Sequence, residues 1–275
     1  MTDIKNLRKR SIANIYSQLE QRYKILIVDN QYEFRDYLEC DLSKWLQIIT
    51  DNCGHGGIQK AKNEMPDLII YELRIPDIDG FEFVKIIKEE LETSHIPIIL
   101  LTTKISDESI IRCISLGVNA IIIKPFEIDY LLLYIVNLLL NNQRLKQKFI
   151  RDIVVKPNEQ TASSRDASFL TSLIEIVEQH LDNTNLTPDF IAEKIGISNT
   201  SLYHKIKALT EQTVGEFVRS IRLKKAAIYL SSKEFTVSEV IYKCGFQNHS
   251  YFYRCFKEMF RCTPSQYAMQ MEKKN

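Results

Sequence analysis

Residues 66–83 have the sequence PDLIIYELRIPDIDGFEF, which combines the signals of a buried strand, a polar strand end and a helix start. The run Asp67–Tyr71 is almost continuously apolar, as is typical of a parallel-sheet strand covered on both faces. Glu72 follows this run, and Pro76 marks the loop beyond it. Between Phe81 and Leu91 apolar residues recur every three or four positions, which predicts an amphipathic helix. The stretch therefore predicts one β–α unit.

The same alternation of short apolar runs with longer amphipathic stretches extends on both sides of this unit. The other apolar runs are Lys24–Val28, Leu46–Thr50, Pro97–Thr102 and Ala120–Ile123. Together the runs predict an α/β fold with a doubly wound, five-stranded parallel sheet. In such a sheet ligands bind at the carboxyl ends of the strands, so the residues that end each run are the candidates for a site.

Polar residues stand at four of these strand ends. They are Asp29 with Asn30, then Glu72, Thr102 and Lys124. For any one of these residues, the exposure of a strand end to solvent is enough to explain a polar side chain. Two acidic groups, a hydroxyl and an ammonium at one sheet edge favour a binding pocket over that explanation.

The segment from Lys24 to Leu145 resembles the receiver domain of two-component response regulators, through the motifs ILIVDN, PDLIIYELRIPDIDGFEF, IPIILLT and KPF. The resemblance implies an acidic pair after the first strand that helps hold Mg²⁺ and an Asp after the third that accepts a phosphoryl group. It also implies that Thr102 and Lys124 contact the phosphoryl oxygens.

The sequence departs from the receiver pattern at three functional positions. Glu72 stands at the phosphoacceptor position, Asn30 replaces the second member of the acidic pair, and Ile121 replaces the usual aromatic residue. Phosphoryl transfer depends on positioning and on neutralisation by a metal, and both are disturbed here. We therefore expect that the receiver is not phosphorylated in the usual way, that no cofactor is required, and that any Mg²⁺ site at Asp29 is weakened.

Two interpretations of Glu72 remain open. In the first, its carboxylate permanently replaces the phosphoryl group and pairs with Lys124, though with less negative charge. In the second, the receiver is a silent scaffold that dimerises and positions the next domain. The apolar segment Ile128–Leu140 predicts a last helix that supports a homodimer through the receiver, while a buried core helix explains the same pattern.

Charge and composition divide the chain into four segments. The net charge is +1, yet residues 24–146 carry 13 basic and 19 acidic residues, and residues 165–275 carry 15 and 12. The polar stretch PNEQTASSRDAS at 157–168 is typical of a linker. We predict a basic N-terminal segment at 1–23, a receiver-like domain at 24–146, a linker at 147–168 and a second domain at 169–275.

The second domain has only helical signals and is predicted to be all-α with about seven helices. The candidate N-cap residues are Thr187, Ser198, Thr213, Thr236 and Ser250. The stretches Ile191–Ser198 and Val240–Phe246 share one pattern, a short helix that ends in glycine before another amphipathic helix. Two copies predict two helix-turn-helix units.

Residues from about Leu173 to Tyr267 resemble the AraC/XylS-type DNA-binding domain. The motifs are AEKIGIS, SLYHKIKAL, IRLKKAA, VSEV, CGF, SYFYRCFKEMF and TPSQY. Arg261 departs from the family because it replaces the glycine that usually ends the second recognition helix. The resemblance implies binding to double-stranded DNA.

The apolar spacing assigns faces to the two recognition helices. Leu202, Ile206 and Leu209 are expected to be buried in the first, and Phe252, Phe256 and Phe260 in the second. The residues expected to face outward towards DNA are Asn199, Thr200, Ser201, His204, Lys205, Asn248, His249, Ser250, Tyr253, Arg254 and Lys257. Among them Arg254 suits guanine, and Asn199 or Asn248 suits adenine. Arg219, Lys224 and Lys225 on the connecting helix suit phosphate, or only keep the surface solvated.

The sequence as a whole predicts a cytoplasmic, DNA-binding transcription regulator of the two-component type and not an enzyme. The expected partners are DNA, a second copy of the chain, a sensor kinase acting in trans, and RNA polymerase. The sequence predicts no membrane span and no secretion, and the six cysteines form no CxxC pair. The alternatives are a conventional phosphorylation-switched regulator and an interaction scaffold that does not bind DNA. Residues 1–23 are either a basic packing helix or the remnant of a longer hybrid sensor protein.

Overall fold

The structure is a computed structural model that describes residues 22–152 and 164–272, with side chains at 22–144 and 165–270. Nearly all of the predicted N-terminal segment and the middle of the predicted linker lie outside these residues. Contacts divide the chain into two compact units, Met1–Leu145 and Lys146–Asn275. Each unit is described by itself below.

The first unit contains a five-stranded parallel sheet, as predicted. Its strands are β1 (Lys24–Val28), β2 (Gln47–Asp51), β3 (Leu68–Glu72), β6 (Ile98–Thr102) and β7 (Ala120–Ile123), in the order β2-β1-β3-β6-β7. The short strands β4 (Arg74–Ile75) and β5 (Ile78–Asp79) form an antiparallel hairpin after β3. Three of the predicted runs begin one residue too early, at Leu46, Asp67 and Pro97. Asp67 accepts a hydrogen bond from the backbone N–H of Lys24 at 2.8 Å, so it holds the strand start from outside the strand.

Five helices cover the two faces of the sheet. They are α1 (Tyr32–Leu42), α2 (Gly54–Glu64), α3 (Gly80–Glu89), α4 (Asp107–Ser115) and α5 (Ile128–Asp152). Helices α1 and α5 enclose one apolar core, and α2, α3 and α4 enclose the other. Along α5, Leu131, Ile135 and Leu139 are buried while Tyr130 and Tyr134 are exposed. One face of α5 is therefore a core face, as one of the two interpretations of its sequence expected.

The second unit has seven helices among its described residues, in agreement with the predicted all-α domain. They are α6 (Ser164–Gln179), α7 (Pro188–Ile195), α8 (Asn199–Thr210), α9 (Val214–Ser232), α10 (Val237–Lys243), α11 (His249–Phe260) and α12 (Pro264–Glu272). Helix α9 contributes Leu223, Ala226 and Leu230 to a core shared with α10 and α11. No helix in the described part of the chain has the length and apolar character needed to cross a bilayer.

Four of the five predicted helix caps are present in the structure. The side chains of Thr187, Ser198, Thr213 and Thr236 each accept a hydrogen bond from a backbone N–H in the first turn of the following helix. The prediction of Ser250 is wrong, because Asn248 Oδ1 accepts from the N–H of Tyr251 at 2.9 Å and α11 begins earlier. Asparagine and serine are equally good N-cap residues, so residue type alone did not show whether Asn248 or Ser250 caps α11.

Left-handed residues end several of these helices. Gly196 has φ +81° and Gly245 has φ +70°, as the repeated motif predicts. Arg261 also adopts φ +60° at the end of α11. The position therefore keeps the conformation that favours glycine although the glycine is absent.

Candidate acidic pocket and nucleic-acid interface

An acidic pocket lies where the sheet topology brings the predicted strand-end residues together. Asp29 follows β1, Glu72 ends β3, and Lys124 follows β7. The Nζ of Lys124 lies 2.8 Å from Asp29 Oδ2 and 2.7 Å from Glu72 Oε2. One ammonium therefore bridges two carboxylates that are 43 residues apart in the sequence.

The pocket is nearly closed to solvent. Asp29 is 2% exposed and Glu72 is 7% exposed, so their charges are weakly screened. The remaining carboxylate oxygens also have donors: Asp29 Oδ1 accepts from the N–H of Gln31 at 2.8 Å, and Glu72 Oε1 accepts from the N–H of Arg74 at 3.3 Å. Hydrogen bonds of this kind offset the desolvation cost of buried charges.

An aromatic side chain covers the ammonium. The Nζ of Lys124 lies 3.8 Å from the centroid of the Phe34 ring, which α1 supplies. Phe34 in turn packs edge-on against Phe126, with ring centroids 6.1 Å apart. Sequence reasoning missed Phe34, and the only signal for it was an aromatic residue on the helix that follows Asp29.

The other predicted pocket residues lie at the same edge with different contacts. Thr102 is fully buried, and its Oγ1 donates to the carbonyl of Lys104 at 3.2 Å. Asn30 is exposed to solvent. The two acids of the following loop are engaged elsewhere, since Asp77 accepts from the N–H groups of Gly54 and His55 and Asp79 caps α3.

The side chains of the pocket do not form a suitable coordination site for Mg²⁺. The ion prefers octahedral oxygen coordination with one or two carboxylates and several waters. Here the ammonium of Lys124 lies between the two carboxylates that would have to bind it, and Asn30 adds no negative charge. Among the described residues no group of three acidic, histidine or cysteine side chains is arranged to hold a metal.

The first recognition helix, α8, has the predicted apolar face. Leu202 and Ile206 are fully buried and Leu209 is half-buried. On the other side, Asn199 and Thr200 are exposed, and Asn199 Nδ2 donates to Asp189 of α7. Ser201 and His204 are half-buried. These four residues remain candidates for contact with DNA.

Lys205 was predicted to face outward towards DNA, and the structure shows that this prediction is wrong. Its side chain is 0% exposed, and its Nζ lies 2.5 Å from Asp166 Oδ1. The prediction failed because Lys205 follows Leu202 by three residues and therefore lies on the buried face. Burial lowers the pKa of Lys205, and the carboxylate of Asp166 opposes this shift. Lys205 is thus a core residue that cannot reach DNA in this conformation.

The second recognition helix, α11, agrees with the predicted faces. Phe252 and Phe256 are fully buried, and Phe260 is half-buried and packs on Phe256 with ring centroids 4.5 Å apart. All six residues predicted to face outward are exposed. These are Asn248, His249, Ser250, Tyr253, Arg254 and Lys257.

Two arginines of α9 have partners within the unit. Arg219 NH1 donates to the Tyr251 hydroxyl at 2.7 Å, so a residue that sequence reasoning gave to phosphate is anchored on α11. Arg222 NH2 donates to the carbonyl of Asn183 at 2.6 Å and its NH1 to that of Gly245 at 3.3 Å. Arg222 therefore has a structural role, because it joins the α6–α7 loop to the α10–α11 loop.

The folds of the two units are those of a receiver domain followed by a helix-turn-helix domain, and comparison with known families agrees. The model of the response regulator receiver domain matches residues 25–136, and that of a helix-turn-helix domain matches residues 191–270. Regulatory protein SoxS of Salmonella typhimurium is 34% identical over 102 residues, which cover 37% of this chain and 94% of that protein. The chain therefore belongs to the response regulators that carry an AraC-type helix-turn-helix domain after a receiver domain.

Two further relatives show the extent of the similarity. Histidine kinase P4 of Formosa agariphila is 35% identical over 261 residues, which cover 95% of this chain and 19% of that protein. The chain thus spans about a fifth of the length of that relative. Among solved structures, chemotaxis protein CheY4 of Vibrio cholerae is 28% identical and has a TM-score of 0.41, with 43% of this chain and 99% of that chain covered.

Proposed function

We propose that the chain is a sequence-specific DNA-binding transcription regulator of the two-component type. The observation that carries this proposal is the division of α11 into a buried aromatic face and a face of five exposed polar or basic residues, with the exposed cap Asn248 beside them. A helix with this division can enter the major groove while its apolar face stays in the core. The similarity to SoxS, a protein named as regulatory, supports the same conclusion.

The exposed residues divide into two kinds of contact. Arg254 is the candidate for bidentate recognition of guanine, and Asn199 or Asn248 for adenine. Lys257 and the hydroxyl groups of Thr200 and Ser250 suit phosphate, which fixes position without reading sequence. Since Lys205 is buried, the face of α8 towards DNA is less basic than the sequence suggested.

The proposed role of the receiver is to act without an aspartyl phosphate. Glu72 supplies a permanent negative charge at the acceptor position, and its 2.7 Å contact with Lys124 supports this interpretation over a silent scaffold. The extra methylene of Glu72, compared with aspartate, carries the carboxylate towards the lysine. A conventional phosphorylation-switched receiver is the alternative.

The proposed partners follow from the two domains. They are double-stranded DNA, a second copy of the chain bound through the receiver, and RNA polymerase at the promoter. A dimer would bring two DNA-binding units to one operator and raise the affinity through effective concentration. The relative named as a histidine kinase supports a link to kinase signalling, in which a sensor kinase acts on this chain or shares a longer one.

Selection from a random duplex library tests the proposal. The wild type is expected to enrich one sequence motif, and Arg254→Ala is expected to lose one guanine preference at a cost of about 1–3 kcal/mol. Lys85→Ala is the control, because it removes one exposed positive charge from the other unit. Failure of the wild type to enrich any motif would favour the scaffold alternative.

A further inference from the structure

Tyr251 lies between the two arginines of the DNA-binding unit that face it. From α9, Arg219 NH1 donates to its hydroxyl at 2.7 Å. One turn along α11, the guanidinium carbon of Arg254 lies 5.3 Å from the centroid of its ring. Tyr251 as a whole is 36% exposed, so it lies at the surface although both ends of its side chain have partners.

The orientation of the Tyr251 ring is fixed from several sides. Its backbone N–H donates to the Asn248 cap at 2.9 Å, which fixes the residue in the first turn of α11. Its ring packs at 6.4 Å from that of Phe246, and its hydroxyl is held by Arg219. The hydrogen bond to Arg219 spans 32 residues and ties α9 to α11. The ring is therefore a rigid support on an otherwise polar face.

We propose that Tyr251 is a positioning residue that holds the guanidinium of Arg254 in the orientation that reads a base. This inference rests on the proposed DNA-binding function and names how one of its contacts is made specific. An exposed arginine has many rotamers, and bidentate recognition of guanine uses only those that present the planar fork correctly. A ring face restricts these rotamers and attracts the cation while leaving its N–H groups free to donate.

Arg219 completes the arrangement by holding the hydroxyl end of the Tyr251 ring. Without its hydrogen bond the phenol can rotate about its side-chain bonds, and Arg254 loses a fixed support. Arg219, Tyr251 and Asn248 line the same open cleft of about 470 Å³, which also meets the start of α7 and of α9. The side chains of Tyr251 and Arg219 are therefore open to this cleft at the N-terminal end of α11.

A direct contact of the Tyr251 hydroxyl with a DNA phosphate is the competing explanation. The hydroxyl accepts from Arg219, and its own hydrogen remains available to a phosphate oxygen. The two explanations differ in what they change. A phosphate contact affects all sequences alike, whereas a positioning residue affects only the base pair that Arg254 reads.

The test measures base discrimination by the full chain. The motif selected by the wild type and the base pair lost in Arg254→Ala first identify the position that Arg254 reads. Affinities are then measured for duplexes with the preferred and the replaced base pair at that position. We expect Tyr251→Leu to lower discrimination about fivefold, with little change in affinity for the replaced duplex, and to have no further effect in the Arg254→Ala background.

Further variants separate positioning from folding. Tyr251→Phe and Arg219→Met each remove the hydrogen bond and keep most of the packing, so each is expected to lower discrimination at the same base pair, without additivity between them. Tyr253→Leu removes a neighbouring tyrosine of 37% exposure, and its effect is expected to add to that of Arg254→Ala. Thermal unfolding confirms that each variant is folded.

Two results would overturn the inference. One is an equal loss of affinity for both duplexes in Tyr251→Leu, and the other is an undiminished Tyr251→Leu effect in the Arg254→Ala background. If the wild type itself selects no motif, the proposed function fails first, so the two failures are distinguishable.

Discussion

The ammonium of Lys124 lies 2.7 Å from Glu72 Oε2, in direct contact with the side chain at the acceptor position. The same nitrogen contacts Asp29, and the Phe34 ring covers it. The three strand-end residues that the receiver resemblance singles out thus form one nearly buried ion cluster. With two carboxylates and one ammonium the cluster keeps a net charge of −1, and each carboxylate contacts the ammonium directly.

The first prediction concerns phosphorylation. With Mg²⁺ and a small phosphodonor, the intact mass of the wild type is expected to stay unchanged, because Glu72 is engaged by Lys124 and the pocket lacks a second acid at Asn30. Glu72→Asp shortens the side chain, which withdraws its carboxylate from Lys124 and leaves it free for Mg²⁺ and for phosphoryl transfer, and we expect this variant to gain a phosphoryl mass. A mass gain in the wild type that disappears in Glu72→Gln would contradict our interpretation of this residue.

The second prediction concerns the buried pair of the DNA-binding unit. Asp166→Asn leaves the ammonium of Lys205 buried without its carboxylate, and we expect a loss of about 3–5 kcal/mol in unfolding free energy. The double variant Asp166→Leu, Lys205→Met is expected to recover most of this loss, because it buries no charge. Urea unfolding of the helical signal by circular dichroism measures both.

A DNA measurement separates this prediction from the original sequence interpretation. If Lys205 does not reach phosphate, the double variant keeps the dependence of DNA affinity on salt concentration that the wild type shows. If the slope of log affinity against log salt concentration is smaller by about one, as for a lost phosphate contact, Lys205 contacts DNA and our interpretation is wrong.

The third prediction concerns acid stability. Partial burial acts to raise the pKa of Asp77, but N–H groups of His55 and Gly54 and the His55 ring donate to the carboxylate and lower its pKa to about 2. The folded pKa lies below the ordinary value of 3.8, so Asp77 stabilises the fold above about pH 3.8. This contribution is lost as the pH falls towards 2.

The single tryptophan of the chain, Trp45, lies in the receiver unit and reports its unfolding by fluorescence. We expect Asp77→Asn to be less stable than the wild type at neutral pH and to lose less stability between pH 4 and 2. Asp36→Asn, which removes an exposed carboxylate of α1, is the control. Parallel acid curves for the wild type and Asp77→Asn would contradict the prediction.

The fourth prediction compares two left-handed glycines. A Cβ at Gly245 would lie 2.5 Å from the carbonyl oxygen of Leu181, whereas a Cβ at Gly196 meets nothing within 4 Å. Gly196→Ala therefore costs only the strain of its positive φ, about 1 kcal/mol, and Gly245→Ala costs clearly more. Thermal unfolding of the two variants tests this order. Equal losses of stability would contradict it and would show that the loop around Leu181 moves to accommodate the added methyl group.

The sequence predicted the class of fold and the members of the acidic pocket because both follow from local rules. Runs of buried residues define parallel strands, and parallel strands bring Asp29, Glu72 and Lys124 to one edge whatever their separation. The faces of α11 followed in the same way from the spacing of its phenylalanines.

Long-range pairing accounts for what the sequence did not predict. Helical spacing places Lys205 on the face of Leu202, but the partner that lets its charge be buried, Asp166, is 39 residues away on another helix. Phe34 over Lys124 and Arg219 on Tyr251 are likewise contacts between distant segments. Helical spacing shows which face a residue shares, but it does not show which opposite charge lies across from it.

An acidic group that belongs to the side chain differs from an aspartyl phosphate in its lifetime. An aspartyl phosphate hydrolyses, so the active state of a conventional receiver ends after a limited time. The Glu72 carboxylate paired with Lys124 lasts as long as the folded chain. Under the proposed function no reaction in this pocket returns the receiver to an inactive state. Occupancy of DNA then follows the synthesis and degradation of the protein, so its abundance in the cell becomes the regulated quantity.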